Sequence, residues 1–319
     1  MPTPPVPSES ARSSGVLDCR GRPLALGPGR CWVMGILNVT PDSFSDGGRY
    51  GSVRAALDRA RQMAAEGAAI IDVGGESTRP GADPVRLGDE LDRVVPVVEA
   101  IARELPHVLI SIDTTKGAVA RAALRAGAHL VNDVTGVAGL TGTADGLGTA
   151  TAAADYGAPL IVMHSLQKTG GSSTPGDYAD VVAEVGAALD RAARRAEEVG
   201  VRDVVVDPGF GFGKSVGENL RLVNELDRLA GGRPVLVGVS RKSTVGAVLG
   251  TDGAPAPVED RLYGSVGLAV LAAVRGAAIV RAHDVRATAE ALHTVEAALT
   301  ASASVDGSGE PARAMVGAR

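Results

Sequence analysis

Asp203-Val-Val-Val-Asp-Pro-Gly-Phe-Gly-Phe-Gly-Lys214 is the stretch that decides the fold of this 319-residue chain. It joins a short apolar run to a cluster of polar and glycine residues, and an amphipathic segment follows at 218–229. A short apolar run bounded by turn residues is typical of a parallel strand that helices cover on its outer face. The stretch therefore predicts one unit of strand, polar loop and helix.

The same unit recurs eight times along the chain. The apolar runs are 32–37, 69–73, 108–112, 129–131, 159–163, 203–206, 234–239 and 277–280, and the helices predicted after them are 53–66, 87–104, 117–126, 143–156, 178–199, 218–229, 261–275 and 285–299. Eight strand–helix units in about 270 residues match a closed (β/α)8 TIM barrel of the α/β class. A doubly wound open sheet is the alternative, but no G-x-G-x-x-G follows the first run.

Glycines at the ends of the predicted helices support this rhythm. Gly67, Gly127, Gly157, Gly200 and Gly276 each stand between an amphipathic segment and the next apolar run. A glycine there can take the left-handed conformation that ends a helix and turns the chain into a strand.

The two ends of the chain differ in composition from the part between them. Residues 1–15 are rich in Pro and Ser, and residues 303–319 in Ala, Ser and Gly, so we expect a disordered leader and a disordered tail around one domain at 16–302. The leader lacks the apolar region of a signal peptide, and no apolar run is long enough to span a membrane, so a cytoplasmic protein is expected.

Composition and charge exclude several classes of partner. The net charge is −5 and aromatic residues make up 3% of the chain, which disfavours nucleic-acid binding. Cys19 and Cys31 are the only cysteines, and no histidine cluster accompanies them, so neither a zinc site nor a disulfide framework is expected. The partners expected are small-molecule substrates.

Polar side chains follow all eight apolar runs, at the strand ends where the catalytic groups of a TIM barrel lie. A helix cap or a turn could account for any single position, but eight of eight favours a shared site. The groups are Asn38, the stretch 72–81, Asp113 with Thr114, Asn132 with Asp133, Met163 with His164, the stretch 207–214, Ser240 to Lys242, and Arg281 to Asp284.

Two kinds of ligand surface follow from these side chains. Carboxylates, an amide and an amine at Asp113, Asn132, Asp207 and Lys242 suit a flat heterocycle with NH donors and carbonyl acceptors. Hydroxyl, guanidinium and imidazole groups at Thr78, Arg79, Arg281 and His283 suit phosphate oxygens. The amide oxygen of Asn38 could hold Mg2+ that keeps its waters and substrate phosphates.

Structural roles remain open at three of these positions. Arg281 could pair with a neighbouring Asp, His283 could be a rim residue whose hydrogen bonds are satisfied, and Asn38 could be a turn residue. The loops at 40–51 and 74–86 are rich in small and hydroxylic residues, which favours flexible lids over plain surface loops.

The stretches 34–48, 72–81, 207–214, 240–242 and 281–284 together resemble the dihydropteroate synthase family. The resemblance covers residues 30–290 in matching order. It implies a TIM-barrel transferase that condenses (7,8-dihydropterin-6-yl)methyl diphosphate with p-aminobenzoate in folate biosynthesis, giving 7,8-dihydropteroate and diphosphate. It also implies Mg2+, a homodimer and inhibition by sulfonamides.

The resemblance assigns roles to individual residues of this chain. Asp113, Lys242 and Arg281 are the expected catalytic residues. The pterin is expected on Asp113, Asn132, Asp207 and Lys242, the diphosphate on Thr78, Arg79, Arg281 and His283, the p-aminobenzoate on Phe44, Pro80, Phe212 and Ser240, and the metal on Asn38.

Two other functions share parts of this sequence pattern. An inactive pterin-binding paralogue should have lost parts of the stretches 79–81, 212–214 or 240–242, which are intact here. A corrinoid-type pterin methyltransferase domain would share the barrel and the Asp/Asn grip, but it would not need Arg281 and His283 for a diphosphate.

Overall fold

The computed structural model describes residues 15–27, 29–39, 48–76, 84–135, 148–165, 178–229, 231–251 and 253–303. The strands are β1 (Gly15–Asp18), β2 (Pro23–Leu26), β3 (Trp32–Asn38), β4 (Ile70–Gly74), β5 (Leu109–Asp113), β6 (Leu130–Asp133), β7 (Leu160–Met163), β8 (Val204–Asp207), β9 (Leu236–Val237) and β10 (Ile279–Ala282). The helices are α1 (Gly48–Ala65), α2 (Leu87–Glu104), α3 (Gly117–Ala126), α4 (Gly148–Tyr156), α5 (Val181–Val199), α6 (Val216–Asn224), α7 (Ser243–Leu249), α8 (Leu262–Val274) and α9 (Val285–Ala303).

Strands β3 to β10 form a parallel barrel, which confirms the predicted fold class. Their order is β8-β7-β6-β5-β4-β3-β10-β9. The ring closes between β8 and the chain entering β9, where Val206 and Val235 form a parallel bridge and the amide of Val206 donates to the carbonyl of Pro234 at 3.0 Å. Parallel strands place all their carboxyl ends at one mouth, so the loops after them share a rim.

Buried apolar side chains explain why these segments are strands. Every residue of β4, β5, β6, β7 and β8 is buried, because one face packs inside the barrel and the other against the helices. All five predicted helix-end glycines have positive φ, from 61° at Gly157 to 116° at Gly127. The left-handed conformation at these positions confirms how each helix was expected to end.

The amino-terminal floor of the barrel is closed by a hairpin that the sequence did not predict. Strand β1 pairs antiparallel with β2, and Leu17, Cys19 and Leu24 pack against the lowest inward-facing layer of the barrel. The guanidinium of Arg22 donates to the carbonyl of Val108 at 2.9 Å, which ties the hairpin to the start of β5. The hairpin fills the end opposite the mouth, so it contributes to stability rather than to the site.

Several described boundaries differ from the predicted ones by a few residues, and some differences are larger. Helix α7 at Ser243–Leu249 was not predicted, and the strand expected over 234–239 is regular only at Leu236 and Val237. Gly15 belongs to β1, while the rest of the predicted leader and residues 304–319 of the predicted tail lie outside the described residues. No helix within the described ranges is long and apolar enough to cross a membrane.

His129 at the barrel floor makes stability depend on pH. The amide of Ile110 donates to its Nδ1 at 3.0 Å, and the Arg22 guanidinium lies 3.1 Å from its Nε2. Burial and the neighbouring Arg22 and Arg20 charges lower the pKa of His129 to about 4. The folded state therefore disfavours the proton that the unfolded state binds near pH 6.5.

We expect the free energy of unfolding to fall as the pH drops from about 6.5 towards 4. His129→Asn keeps a hydrogen-bond acceptor for the amide of Ile110 but removes the titrating imidazole. The variant should therefore lose less free energy of unfolding over this pH range than the wild-type protein, by about 1.5 kcal/mol after a discount for partial exposure. Urea titrations at several pH values measure this, with His107→Asn as the exposed control. An unchanged pH slope in His129→Asn would contradict the prediction.

Candidate active site

Strand register brings the first group of predicted site residues together. Gly74, Asp113 and Asn132 are neighbours across β4, β5 and β6. A Cβ at Gly74 would lie 3.5 Å from the carboxylate of Asp113, an ordinary van der Waals distance, so the two positions are in direct contact across the strands. The sequence therefore places a carboxylate and an amide side by side at the mouth.

The guanidinium of Arg281 joins two carboxylates in this mouth. Its Nε donates to Asp72 at 2.6 Å and its Nη2 donates to Asp113 at 2.7 Å. The same oxygen of Asp72 accepts a hydrogen bond from the amide of Asn132 at 2.9 Å. One cation thus connects β10 with β4 and β5, and charge-assisted bonds of this length are strong.

Burial makes the ionisation of Asp113 dependent on its neighbours. Asp72 is 0% exposed and Asp113 is 7% exposed. Burial raises the pKa of Asp113, Arg281 opposes that rise, and the charge of Asp72 adds to it. Two buried carboxylates share one guanidinium, so the second negative charge is held at a cost.

A second cluster forms around the turn after β8. Asp207 accepts a hydrogen bond from the amide of Gly209 at 2.7 Å, and burial raises its pKa. The Lys242 ammonium donates to the carbonyl of Phe210 at 2.8 Å and lies 3.9 Å from the centre of the Phe212 ring. Burial lowers the pKa of Lys242 to about 7, although the Asp207 charge opposes that change.

Ser240 and His283 lie together after the neighbouring strands β9 and β10. The hydroxyl of Ser240 accepts a hydrogen bond from the amide of His283 at 3.2 Å, and the ring Nδ1 of His283 is also 3.2 Å from it. Between Ser240 and Lys242, Arg241 has a φ of 58°, which a residue with a side chain rarely adopts. An ion pair with Asp284 and a bond from its amide to Ser265 hold this conformation.

The remaining predicted residues fall into two groups. Phe44, Thr78, Arg79 and Pro80 lie outside the described residues. Asn38 is exposed at the end of β3, in register with Gly74.

The donors near Asn38 can be compared with the needs of Mg2+. The described residues contain no group of three or more His, Cys, Asp or Glu side chains arranged for a metal ion. One exposed amide oxygen fits an ion that takes its other ligands from water and substrate phosphates. It does not fit a metal held by the protein alone.

Sequence reasoning did not assign a role to Asp72. A carboxylate between Ile71 and Val73 in a fully buried strand is itself a signal, because buried charges must be paired. The partners, Arg281 and Asn132, lie on distant segments, so the pairing was visible only in the fold.

A partly buried network at the start of the second loop was not predicted either. Lys116 donates to the carboxylates of Glu76 and Glu90, and the hydroxyl of Thr114 donates to Glu90 at 2.6 Å. The carboxylate of Glu76 also accepts from the amide of Val85 at 3.0 Å, so it holds the chain on both sides of residues 77–83.

Asp72→Asn provides a test of the shared guanidinium. The substitution removes a charge that raises the pKa of Asp113, so that pKa should fall by up to about one unit. If ionised Asp113 is the active form, the acid limb of the pH–rate profile should move to lower pH. An acid limb at the wild-type position would contradict the coupling, and Asp92→Asn on α2 is the control.

Residues 34–283 match the family model described as pterin binding enzyme. Among curated relatives, Escherichia coli dihydropteroate synthase is 44% identical over 84% of this chain and 92% of its own length. The Streptococcus pyogenes serotype M6 enzyme of the same name is 48% identical over 81% of this chain and 92% of its own.

Solved structures with this fold carry the same name. Xanthomonas albilineans dihydropteroate synthase with 4-aminobenzoic acid has a TM-score of 0.78 and 44% identity, covering 90% of this chain and 98% of that one. Burkholderia cenocepacia dihydropteroate synthase complexed with 7,8-dihydropteroate has a TM-score of 0.77 and 44% identity, with the same coverage. A Yersinia pestis dihydropteroate synthase–sulfonamide complex has a TM-score of 0.78 and 43% identity, covering 90% and 100%.

Proposed function

The chain belongs to the dihydropteroate synthase family of pterin-binding enzymes, and from this premise we propose that it joins (7,8-dihydropterin-6-yl)methyl diphosphate to p-aminobenzoate. The products are 7,8-dihydropteroate and diphosphate. The observation that carries the proposal is the convergence of Asp113, Asn132, Asp207 and Lys242 at one barrel mouth with Arg281 beside them. Relatives were solved with 4-aminobenzoic acid and with 7,8-dihydropteroate.

The pterin ring is assigned to the buried polar groups of the mouth. Asp113 and Asp207 offer carboxylate oxygens to ring NH and NH2 groups, and Asn132 and Lys242 offer donors to ring nitrogen and carbonyl oxygen. The nearly complete burial of Asp113, Asn132 and Asp207 supports this assignment, because a buried polar group gains most from a matching partner.

The diphosphate is assigned to the cationic side of the mouth. Arg281 is the third residue of β10, and His283 directly follows the strand. Phosphate oxygens bound there would face a guanidinium and an imidazole. Thr78 and Arg79 are assigned here by the resemblance. Asn38 would hold Mg2+ together with the diphosphate, and the bound ion would neutralise charge on the leaving group.

The reaction breaks the bond between the pterin methylene and the diphosphate oxygen. The electron pair leaves with the diphosphate, so positive charge develops on the methylene and the pterin ring. Ionised Asp113, buried near the ring, stabilises that charge, and Arg281 stabilises the departing oxygen. The aniline nitrogen of p-aminobenzoate then attacks the methylene and loses a proton, so no covalent enzyme intermediate is needed.

The p-aminobenzoate is assigned to Phe212 and Ser240, with Phe44 and Pro80 from the loops. The Ser240 hydroxyl stands beside His283 and can donate to the carboxylate of the substrate. Sulfonamides resemble p-aminobenzoate in shape and charge, so inhibition is part of this proposal. The complex of a sulfonamide drug with the Yersinia pestis relative supports it.

A homodimer in the cytoplasm completes the proposal. Four exposed apolar side chains lie on α7, in the turn before α8 and at the start of α8: Val248, Leu249, Val258 and Tyr263, of which Tyr263 is 85% exposed. A group of this kind is typical of a protein interface, and a second copy of the chain is the proposed occupant. Sedimentation of the wild-type protein and of Tyr263→Glu tests this, with a monomeric variant expected.

The direct test of the function is an assay with purified protein. Dihydropterin methyl diphosphate, Mg2+ and p-aminobenzoate should give 7,8-dihydropteroate and diphosphate, and a sulfonamide should lower the rate in competition with p-aminobenzoate. Binding of the pterin with no product would favour the inactive paralogue. Chelation of Mg2+ should slow the reaction and leave binding of the diphosphate-free pterin unchanged.

Arg281→Lys separates the two roles open to this residue. Lysine keeps the positive charge that Asp72 and Asp113 require but loses the planar fork, so kcat/KM should fall by about 100-fold. Binding of the diphosphate substrate should weaken more than binding of diphosphate-free hydroxymethyl pterin. Equal losses would show that Arg281 acts only through Asp113; Arg286→Lys on the surface of α9 is the matched control.

A further inference from the structure

The ammonium of Lys214 lies at the centre of the turn after β8. It donates to the carbonyls of Gly209 at 3.0 Å, Phe212 at 3.1 Å and His164 at 3.3 Å. The side chain is 8% exposed, although lysine is almost never buried without partners. Three converging carbonyls satisfy its three donors, so the turn is wrapped around this cation.

The backbone of the turn can take this shape only because of its glycines. Gly209, Gly211 and Gly213 have φ values of 67°, 83° and 69°. A Cβ at Gly209 would lie 1.8 Å from the carbonyl oxygen of His164, so the turn presses directly on the end of β7. A peptide of three left-handed glycines has little stiffness of its own. Its shape therefore depends on the side chains that bind it.

Asn219 is the second side chain that binds the turn. Its amide oxygen accepts from the amide of Gly211 at 2.7 Å, and its Nδ2 donates to the carbonyl of Lys214 at 3.2 Å and to the hydroxyl of Thr244 at 3.0 Å. The residue is 1% exposed on α6. Thr244 is the second residue of α7, two positions after Lys242, so Asn219 connects the turn to the segment that carries Lys242.

Two contacts of the Lys242 ammonium among the described residues are with this turn. They are the carbonyl of Phe210 and the ring of Phe212. Lys214 and Asn219 also bind the turn that carries these two residues. Phe210 lies between Gly209 and Gly211, which Lys214 and Asn219 bind on either side. A shift of the turn would therefore move the surroundings of Lys242 and the Phe212 ring together.

We propose that Lys214 and Asn219 are positioning residues for both substrates: they fix the glycine turn so that Lys242 faces the pterin and Phe212 faces p-aminobenzoate. Neither residue contacts substrate in this account. The inference rests on the proposed function and adds two residues to the site. A positioning role differs from a purely structural one in its consequences. Substitution of a positioning residue weakens substrate binding more than it lowers the stability of the fold.

Asn219→Ala and Lys214→Met are the test variants. Each should raise the KM for p-aminobenzoate and weaken binding of hydroxymethyl pterin, with kcat/KM lower by about tenfold or more, since small displacements of positioning groups are costly. Leu222→Ala on α6 is the matched control. It removes a fully buried core side chain and should lower Tm by about 5–15 °C while KM stays within about twofold.

The result that overturns the proposal is a change in KM that follows Tm alone across the three variants. An unchanged KM for p-aminobenzoate in a folded Asn219→Ala protein would also overturn it. The Asn219→Ala variant alone decides the test if Lys214→Met does not fold. Calorimetric titration with hydroxymethyl pterin needs no turnover. If the wild-type protein makes no dihydropteroate, the proposed function is wrong. The calorimetric titration with hydroxymethyl pterin would still test whether Lys214 and Asn219 position the pterin site.

Discussion

The ion pairs of Arg281 with Asp72 and Asp113 are the constraint on which the mouth of this barrel depends. They connect three strands whose residues lie far apart in the sequence, and they place two carboxylates in a region that water hardly reaches. Burying a charge is costly unless it is paired, and removing one partner of a buried pair leaves the other uncompensated. The strand register and the side-chain geometry must therefore be correct together.

The same charges prepare the site for its ligands. Asp72, Asp113 and Asp207 match Arg281, Lys242 and Lys214 in number, and burial raises the pKa of Asp113 and Asp207 while it lowers the pKa of Lys242 and Lys214. A diphosphate would compete with the two carboxylates for Arg281. Asp113 would then lose part of its compensation as positive charge develops on the pterin, so its attraction for that charge would be strongest when it is needed.

Much of this could be deduced from the sequence, because local patterns determine it. Buried apolar runs, helix-end glycines and polar strand ends gave the barrel and the positions of Asp113, Asn132, Asp207, Lys242 and Arg281 at one mouth. What local patterns cannot give is the partner of a side chain. Arg281 was expected on a diphosphate or on a neighbouring Asp, and only the fold identifies Asp72 and Asp113 as its neighbours.

The features that the sequence did not predict are short elements and contacts between distant segments. The β1–β2 hairpin was not predicted because its strands are four residues long and bury one residue each, Leu17 and Leu24, which is a weak signal. Helix α7 is seven residues long and begins directly after Lys242. Asn219 looked like an ordinary helix residue, since its role arises from contacts with Gly211 and Lys214 of the turn after β8 and with Thr244 of α7.

A crystal structure of the protein with hydroxymethyl pterin, diphosphate and p-aminobenzoate tests the central claim most directly. We expect pterin density between Asp113, Asn132, Asp207 and Lys242, diphosphate beside Arg281 and His283, and p-aminobenzoate against Phe212 and Ser240. Pterin bound away from this mouth, or a diphosphate that leaves Arg281 and His283 untouched, would contradict it.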